Sequence, residues 1–184
     1  MDKNTLRKIC LKRLKSSPKA GRYAKDKQLS KRIARLIWKH EPKSILFYLP
    51  LAMEVDLMGL LGSARKKVKV LVPFVEGESF KMVQYRYPLE RNSFGILEPK
   101  AHNLAVKNVD MIIVPVVAMD GKMQRVGFGK GMYDRFYDSL YKKPIVIFVQ
   151  RESCKSRKAL CDVYDIRGDY YLSSKERQSN RVLS

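Results

Sequence analysis

The spacing of apolar residues changes several times along the chain, and each change marks an element. Over residues 2–15, Leu6, Cys10 and Leu14 recur every fourth position with Ile9 and Leu11 beside them, which predicts a helix. Lys8, Lys12 and Lys15 fall on its opposite, wet side, whereas Lys3 and Arg7 lie close to the apolar stripe, where the core should be. After the break SSPKAG, Leu29, Ile33, Leu36 and Ile37 predict a second helix over residues 22–39. The run SILFYLP then reads as a buried strand, EVDLMGLLGSARKK as a helix, and VKVLVPF and KMVQYRY as two further strands. A loop, PLERNSFGILEPKAHN, leads to VDMIIVPVVAM, the longest apolar run and the expected central strand. Tyr133, Phe136, Tyr137 and Leu140 predict another helix, followed by the strands PIVIFVQ and YYLS. Apolar strands alternating with helices argue for a mostly parallel sheet covered on both faces. The expected fold is α/β: one domain over residues 1–184, three layers deep, with a Rossmann-like central sheet.

Composition narrows the partners more than the fold. With 45% hydrophobic and 30% charged residues the chain reads as globular rather than disordered. No run is long and apolar enough to span a membrane, and the basic N-terminus lacks the apolar stretch of a secretory signal. Three cysteines without CxxC spacing, Cys10, Cys154 and Cys161, argue against a zinc site or disulfide framework and for a reducing cytoplasm. Of the net charge of +20, +12 resides in residues 1–40, which hold 14 Lys and Arg against 2 Asp. Such a balance suits a nucleic-acid binder, a solvated basic helix face, or attraction of small polyanions. No base-reading module is present and no aromatics interleave the basic runs, so a non-catalytic nucleotide- or nucleic-acid-binding module is the minor alternative.

The stretch VPVVAMDGKMQRVGFGKGMYDRF, Val114 to Phe136, follows an apolar run with Gly127, Gly129 and Gly131, and Lys130 between the last two. Its GxGKG spacing is neither the dinucleotide fingerprint nor the Walker loop. Exposed backbone N–H groups with a lysine among them suit a phosphate; the plain alternative is a tight strand-to-helix connection. Arg125, just upstream, favours the anion. Asp134 either complements the helix dipole or holds Mg²⁺ beside phosphates. Asp162, Asp165 and Asp169 form a second acidic group, solvated unless a ligand calls on it. Glu54 is read as opening a helix, either as a helix acid or as an acceptor for a ligand rich in N–H donors.

Together these pieces resemble the 5-formyltetrahydrofolate cyclo-ligase family. The glycine stretch matches the family signature, with Met119 and Met132 where aromatics are usual; Lys3, Leu6 and Arg7 match its N-terminal motif. The segment around Glu54, Gly95–Pro99, Gln150, Asp165 and Asp169 follow in order. The resemblance implies that Lys3 and Arg7 reach ATP phosphates. It implies an ATP loop of Arg125, Val126, Gly127, Phe128, Gly129, Lys130, Gly131, Met132 and Tyr133. Phe128 to Met132 would also approach the folate, Leu49 and Glu54 would contact its pterin, and Phe94 would lie near it. Asp134 and Asp165 would be the Mg²⁺ positions; Lys130, Arg125 and Tyr133 would be catalytic. The implied reaction is ATP- and Mg²⁺-dependent closure of 5-formyltetrahydrofolate, with or without a polyglutamate tail, to 5,10-methenyltetrahydrofolate. Phosphorylation of the formyl oxygen and attack by N10 would release ADP and phosphate, in a monomeric cytoplasmic enzyme.

Overall fold

The computed structural model describes residues 1–93, 95–100 and 106–180. Its helices are α1 (Lys3–Ser16), α2 (Arg22–His40), α3 (Met58–Ala64) and α4 (Met132–Asp138). Its strands are β1 (Ser44–Leu46), β2 (Lys69–Glu76), β3 (Ser79–Gln84), β4 (Leu89–Arg91), β5 (Leu97–Pro99), β6 (Met111–Pro115), β7 (Ala118–Met119), β8 (Arg125–Val126), β9 (Ile145–Val149), β10 (Tyr170–Leu172) and β11 (Arg177–Ser179). Among the described residues a seven-stranded sheet runs β11-β10-β9-β6-β1-β2-β3, with β6 at its middle as the length of its apolar run implied. The five inner strands are parallel, and β3 and β11 close the two edges antiparallel.

Successive side chains of a strand face opposite sides, and the core divides accordingly. Ile45 and Phe47 pack with Leu29, Ile33 and Leu36 of α2 and Leu61 of α3. Leu46, between them, joins Val114, Phe148 and Phe136 of α4 on the other side. The fold is therefore three layers, helix–sheet–helix. Helix α1 belongs to neither outer layer. Leu6, Cys10 and Leu14 pack instead on Val117, Ala118 and Val126 of the β7–β8 hairpin. Its N-terminus is capped by Asp2, whose side chain accepts from the Thr5 N–H at 2.8 Å.

Three expectations are corrected. Cys10 and Cys154 are joined in a disulfide, with Cα atoms 5.8 Å apart across 144 residues of sequence. Folding brings α1 against the segment after β9, a proximity no local spacing reveals. The helix expected from Glu54 begins only at Met58, because the Met58 N–H that would bond back to the Glu54 carbonyl goes to the Asp56 side chain at 2.9 Å, and the Asp56 N–H goes to Asp26. The long run VDMIIVPVVAM breaks after Pro115: Val116 N–H still bonds to Val149, whereas Val117 N–H turns to Val126 and starts the hairpin.

Candidate active site

Strand β1 hands on to β2 on one side and β6 to β9 on the other, so the chain diverges between adjacent parallel strands β1 and β6. A crevice at the carboxyl ends of such strands is where open α/β sheets bind ligands. Two cavities lie there. The first, about 280 Å³, is formed after β1 by Tyr48, Leu49, Leu51 and Glu54. Pro115, Arg125, Phe128, Lys130, Gly131, Met132 and Tyr133 complete it from the β6 side, with Phe80 and Ile96. The second, about 380 Å³, is polar: Lys3, Arg7, Arg125 and Arg135 face Asp134, Asp138, Asp165, Tyr164 and the glycines 127, 129 and 131. Arg125 and Gly131 line both.

In the first cavity the one carboxylate is Glu54. Its Oε2 accepts from the Leu51 N–H at 2.8 Å, and the Glu54 N–H returns a bond to the Leu51 carbonyl at 2.9 Å, closing a turn that aims the side chain. Burial lifts the Glu54 carboxyl above its ordinary range, while the Leu51 N–H and Arg125 draw it part of the way back. Burial and the nearby Glu54 push the Tyr48 and Tyr133 phenols up as well, so both remain neutral donors. Tyr48 donates to the Val55 carbonyl at 2.7 Å. Tyr133 sits edge-on to Phe80, with ring centroids 4.9 Å apart.

Arg125 is the wall between the cavities. It is buried; its Nη1 donates to Asp134 at 3.2 Å, and its guanidinium lies 5.0 Å from the Tyr133 ring centroid. Gly127 is what makes room for it, since any Cβ there would come within 2.5–2.6 Å of the guanidinium. Gly129, at φ 108°, turns the loop through backbone space that side chains rarely adopt. From α1, Arg7 donates to the Gly127 carbonyl at 2.8 Å, and Lys3 pairs with Asp165 and, at 3.5 Å, with Asp162. Burial works against the Lys3 charge, but the Asp165 carboxylate outweighs it and holds the ammonium above its ordinary value. The two cations near the apolar stripe thus meet the glycine loop because α1 packs on the hairpin that leads into that loop.

The acid that organises this corner is Asp120, in the signature stretch. It is buried and accepts from the N–H groups of Lys122 and Gln124 at 2.9 Å, Leu160 at 2.9 Å and Cys161 at 3.0 Å. Burial opposes its charge, yet these bonds prevail and hold the carboxyl below its ordinary range. Asp120 thereby fixes the hairpin turn and the acidic segment to each other, and Asp165 with them.

A model of the 5-formyltetrahydrofolate cyclo-ligase family matches residues 1–153. The chain belongs to this family. Among relatives, the 5-formyltetrahydrofolate cyclo-ligase of Haemophilus influenzae is 29% identical over 133 residues, covering 66% of this chain and 70% of that one. The cyclo-ligase of Mycoplasma pneumoniae is 26% identical over 176 residues, covering 94% and 99%. Among solved structures, the 5,10-methenyltetrahydrofolate synthetase of Aquifex aeolicus superposes with a TM-score of 0.83 at 28% identity, covering 100% of this chain and 97% of its own.

Of the residues expected at the site, Leu49, Glu54, Phe128, Lys130, Met132 and Tyr133 line the first cavity, and Lys3, Arg7, Gly127, Gly129, Asp134 and Asp165 the second. Val126 lines neither: its side chain is buried against α1. Phe94 lies outside the described residues. Tyr48, which lies in an expected strand, and Phe80, Arg135 and Tyr164, to which sequence reasoning assigned no role, were not anticipated. Tyr164 carried a faint signal, an exposed aromatic beside Asp165 in the acidic segment. No group of three or more His, Cys, Asp or Glu forms a metal cage among the described residues. Of the three carboxylates lining the polar cleft, the two expected ones, Asp134 and Asp165, match in type and number the donors Mg²⁺ takes when phosphate oxygens complete its shell.

Proposed function

We propose that this chain closes 5-formyltetrahydrofolate to 5,10-methenyltetrahydrofolate while converting ATP to ADP and phosphate. The observation that carries this is the shared wall, Arg125 and Gly131, between a mostly apolar cavity holding one carboxylate and a polar, cation-lined cleft. Passing a phosphoryl group from one substrate to another requires two pockets that open on each other over a fixed cation. The pterin occupies the first cavity, its amino and ring N–H groups donating to Glu54, a charge-assisted pairing that sets its orientation. The triphosphate lies along residues 127–131, with Lys3, Arg7 and Lys130 on its oxygens and the γ-phosphoryl against Arg125.

The formyl oxygen belongs to an amide and cannot leave as oxide. It takes the γ-phosphoryl as the bond to ADP breaks. N10 then adds to the activated carbon and loses its proton, and phosphate departs with the electrons of the C–O bond. The protein's part is alignment and charge at the equatorial oxygens. The ion pairs Lys3–Asp165 and Arg125–Asp134 keep these cations in place before nucleotide arrives. When the cations turn to phosphate, Asp134 and Asp165 would hold Mg²⁺, which when bound neutralises phosphate charge. No cysteine nucleophile is needed. Burial and the acids Asp120 and Asp165 push the Cys161 thiol up to about 12, so it stays protonated and unreactive. A monomer acting in the cytoplasm, on folates with or without polyglutamate tails, completes the reading. Purified protein with 5-formyltetrahydrofolate, Mg²⁺ and ATP should develop the ultraviolet absorbance of the methenyl product. Folded protein that forms none, or forms it without ATP, overturns the proposal.

A further inference from the structure

Against the backbone of Glu54, and outside the lining of the first cavity, lies a buried ion pair that the proposed reaction does not use. Asp26 of α2 and Arg151, just past β9, are both more than nine-tenths buried. Arg151 Nε and Nη2 donate to the two Asp26 carboxylate oxygens at 2.7 and 2.8 Å, a bidentate fork. The same guanidinium donates onward to the carbonyls of Met53 at 3.3 Å and Glu54 at 2.5 Å. Asp26 Oδ2 in turn accepts from the Asp56 N–H at 3.0 Å. Of these five hydrogen bonds, three grip the backbone on both sides of Glu54, in a stretch that belongs to no helix or strand, and two lock Arg151 to Asp26.

The gap left between this turn and its neighbours Pro115, Phe128 and Gln150 is about 10 Å³, so the turn packs closely on that side. The carboxyl of Glu54 feels burial, the Leu51 N–H and Arg125. The hold of Arg151 is therefore on the backbone, with its own charge met by Asp26. Glu54 cannot aim itself: its side chain folds back on Leu51 in its own turn, so the direction of the carboxylate is the direction of the turn.

We propose that the Asp26–Arg151 pair is a positioning device for Glu54 and so sets how tightly the first cavity takes a ligand that presents N–H donors. This rests on reading that cavity as the folate site. A buried pair is a poor stabiliser compared with apolar packing, but a fork of fixed geometry is a good ruler. Lysine in place of Arg151 keeps the charge opposite Asp26 and loses the fork, so it cannot span the carboxylate and both carbonyls.

The test is steady-state kinetics and equilibrium binding of 5-formyltetrahydrofolate and of ATP to Arg151→Lys, Glu54→Gln and the double variant, each with its melting temperature. Arg151→Lys should raise the folate KM and Kd at least about tenfold, with the ATP KM within twofold. In the Glu54→Gln background the same change should add little, because residues acting through one another are not additive. Equal loss of both substrates, full additivity, or unchanged folate affinity in a folded Arg151→Lys protein overturns the proposal. Should Arg151→Lys not fold, Asp26→Asn, which keeps the acceptor for Asp56 but weakens the fork, is read by the same criteria. If Glu54→Gln alone leaves folate binding intact, the assignment of the cavity fails rather than the role of the pair.

Discussion

Replacing Glu54 by Gln separates binding from stability, and the structure fixes the sign of each. The shape is kept, and the amide oxygen can still accept from Leu51. What changes is the atom facing the cavity, where an NH₂ donor would oppose the N–H groups of the pterin. A hydrogen bond to a charged group contributes roughly 1.5–3 kcal/mol, so folate affinity should fall roughly 10- to 150-fold. If the polar cleft across the Arg125 wall takes ATP, as proposed, the ATP KM should stay within about twofold. Stability should move the other way. Because burial raises the Glu54 carboxyl above its unfolded value of 4.5, the folded state holds that proton more tightly, and stability falls as pH rises through the window above 4.5. The variant escapes this cost. It should melt no lower than wild type at pH 7, with the difference closing as pH falls below 4.5. Wild-type folate binding should likewise weaken on acidification at a pH above the ordinary glutamate range. Thermal melts from pH 4 to 8 and isothermal titration with each substrate read all of this. A variant that melts several degrees lower at neutral pH and loses both substrates together would refute it, since Glu54 would then be holding the fold.

Lys130 is exposed and lines the first cavity, and Lys130→Ala should cost on the order of 10²–10³ in kcat if it meets the migrating phosphoryl group; near-full activity makes the loop a mere turn. Asp134→Asn keeps volume and the contact to the Ile166 N–H but weakens a metal ligand, so part of its lost activity should return in a magnesium titration; an unaltered magnesium dependence means that Asp134 only steers Arg125. Asp120→Ala unpairs four N–H groups and should cost about 3 kcal/mol or more in denaturant melts. Because the Asp120 carboxyl is held below 3.8, the wild-type advantage should be constant above about pH 4 and shrink below it, and an advantage already gone at pH 6 contradicts the assignment. Reductant or Cys10→Ser should lower stability by roughly 2–4 kcal/mol and raise the ATP KM alone, because α1 carries Lys3 and Arg7; identical melts with and without reductant mean that the thiols are free in solution.

What the sequence revealed depended on whether the signal was local. The apolar period over residues 2–15 and 22–39 and the strand runs around Ile45, Val70, Ile113 and Ile147 sit in elements that bury a continuous apolar face, so pattern and structure agree to within a residue or so for the two helices. Lys3 and Arg7 were legible as misplaced cations for a physical reason: the stripe of α1 rests on a small hairpin, and the core ends where the glycine loop begins. The two-residue strands β7 and β8 were hidden inside longer apolar and glycine-rich runs. Asp26 and Arg151 sit in the charged stretches AKDKQ and VQRES, where nothing distinguishes a buried charge from a solvated one until a partner 125 residues away arrives. Cys10 and Cys154 escaped for the same reason.

The glycines show how one pattern in a sequence can have two physical causes. Alternate glycines suggested a backbone cleared for a phosphate. At Gly129 and Gly131 the positive φ values by themselves account for glycine, since side chains rarely adopt such backbone. At Gly127 the missing side chain clears space for Arg125 instead. That arginine is in turn fixed by Asp134, the Tyr133 ring and the Pro115 carbonyl at 3.4 Å. Gly127 therefore serves the ligand only indirectly, by letting a buried cation cross from β8 to the boundary of the two cavities. A signature of this kind records two different requirements, a backbone conformation at Gly129 and Gly131 and room for a cation at Gly127. Only the packing around Arg125 tells them apart.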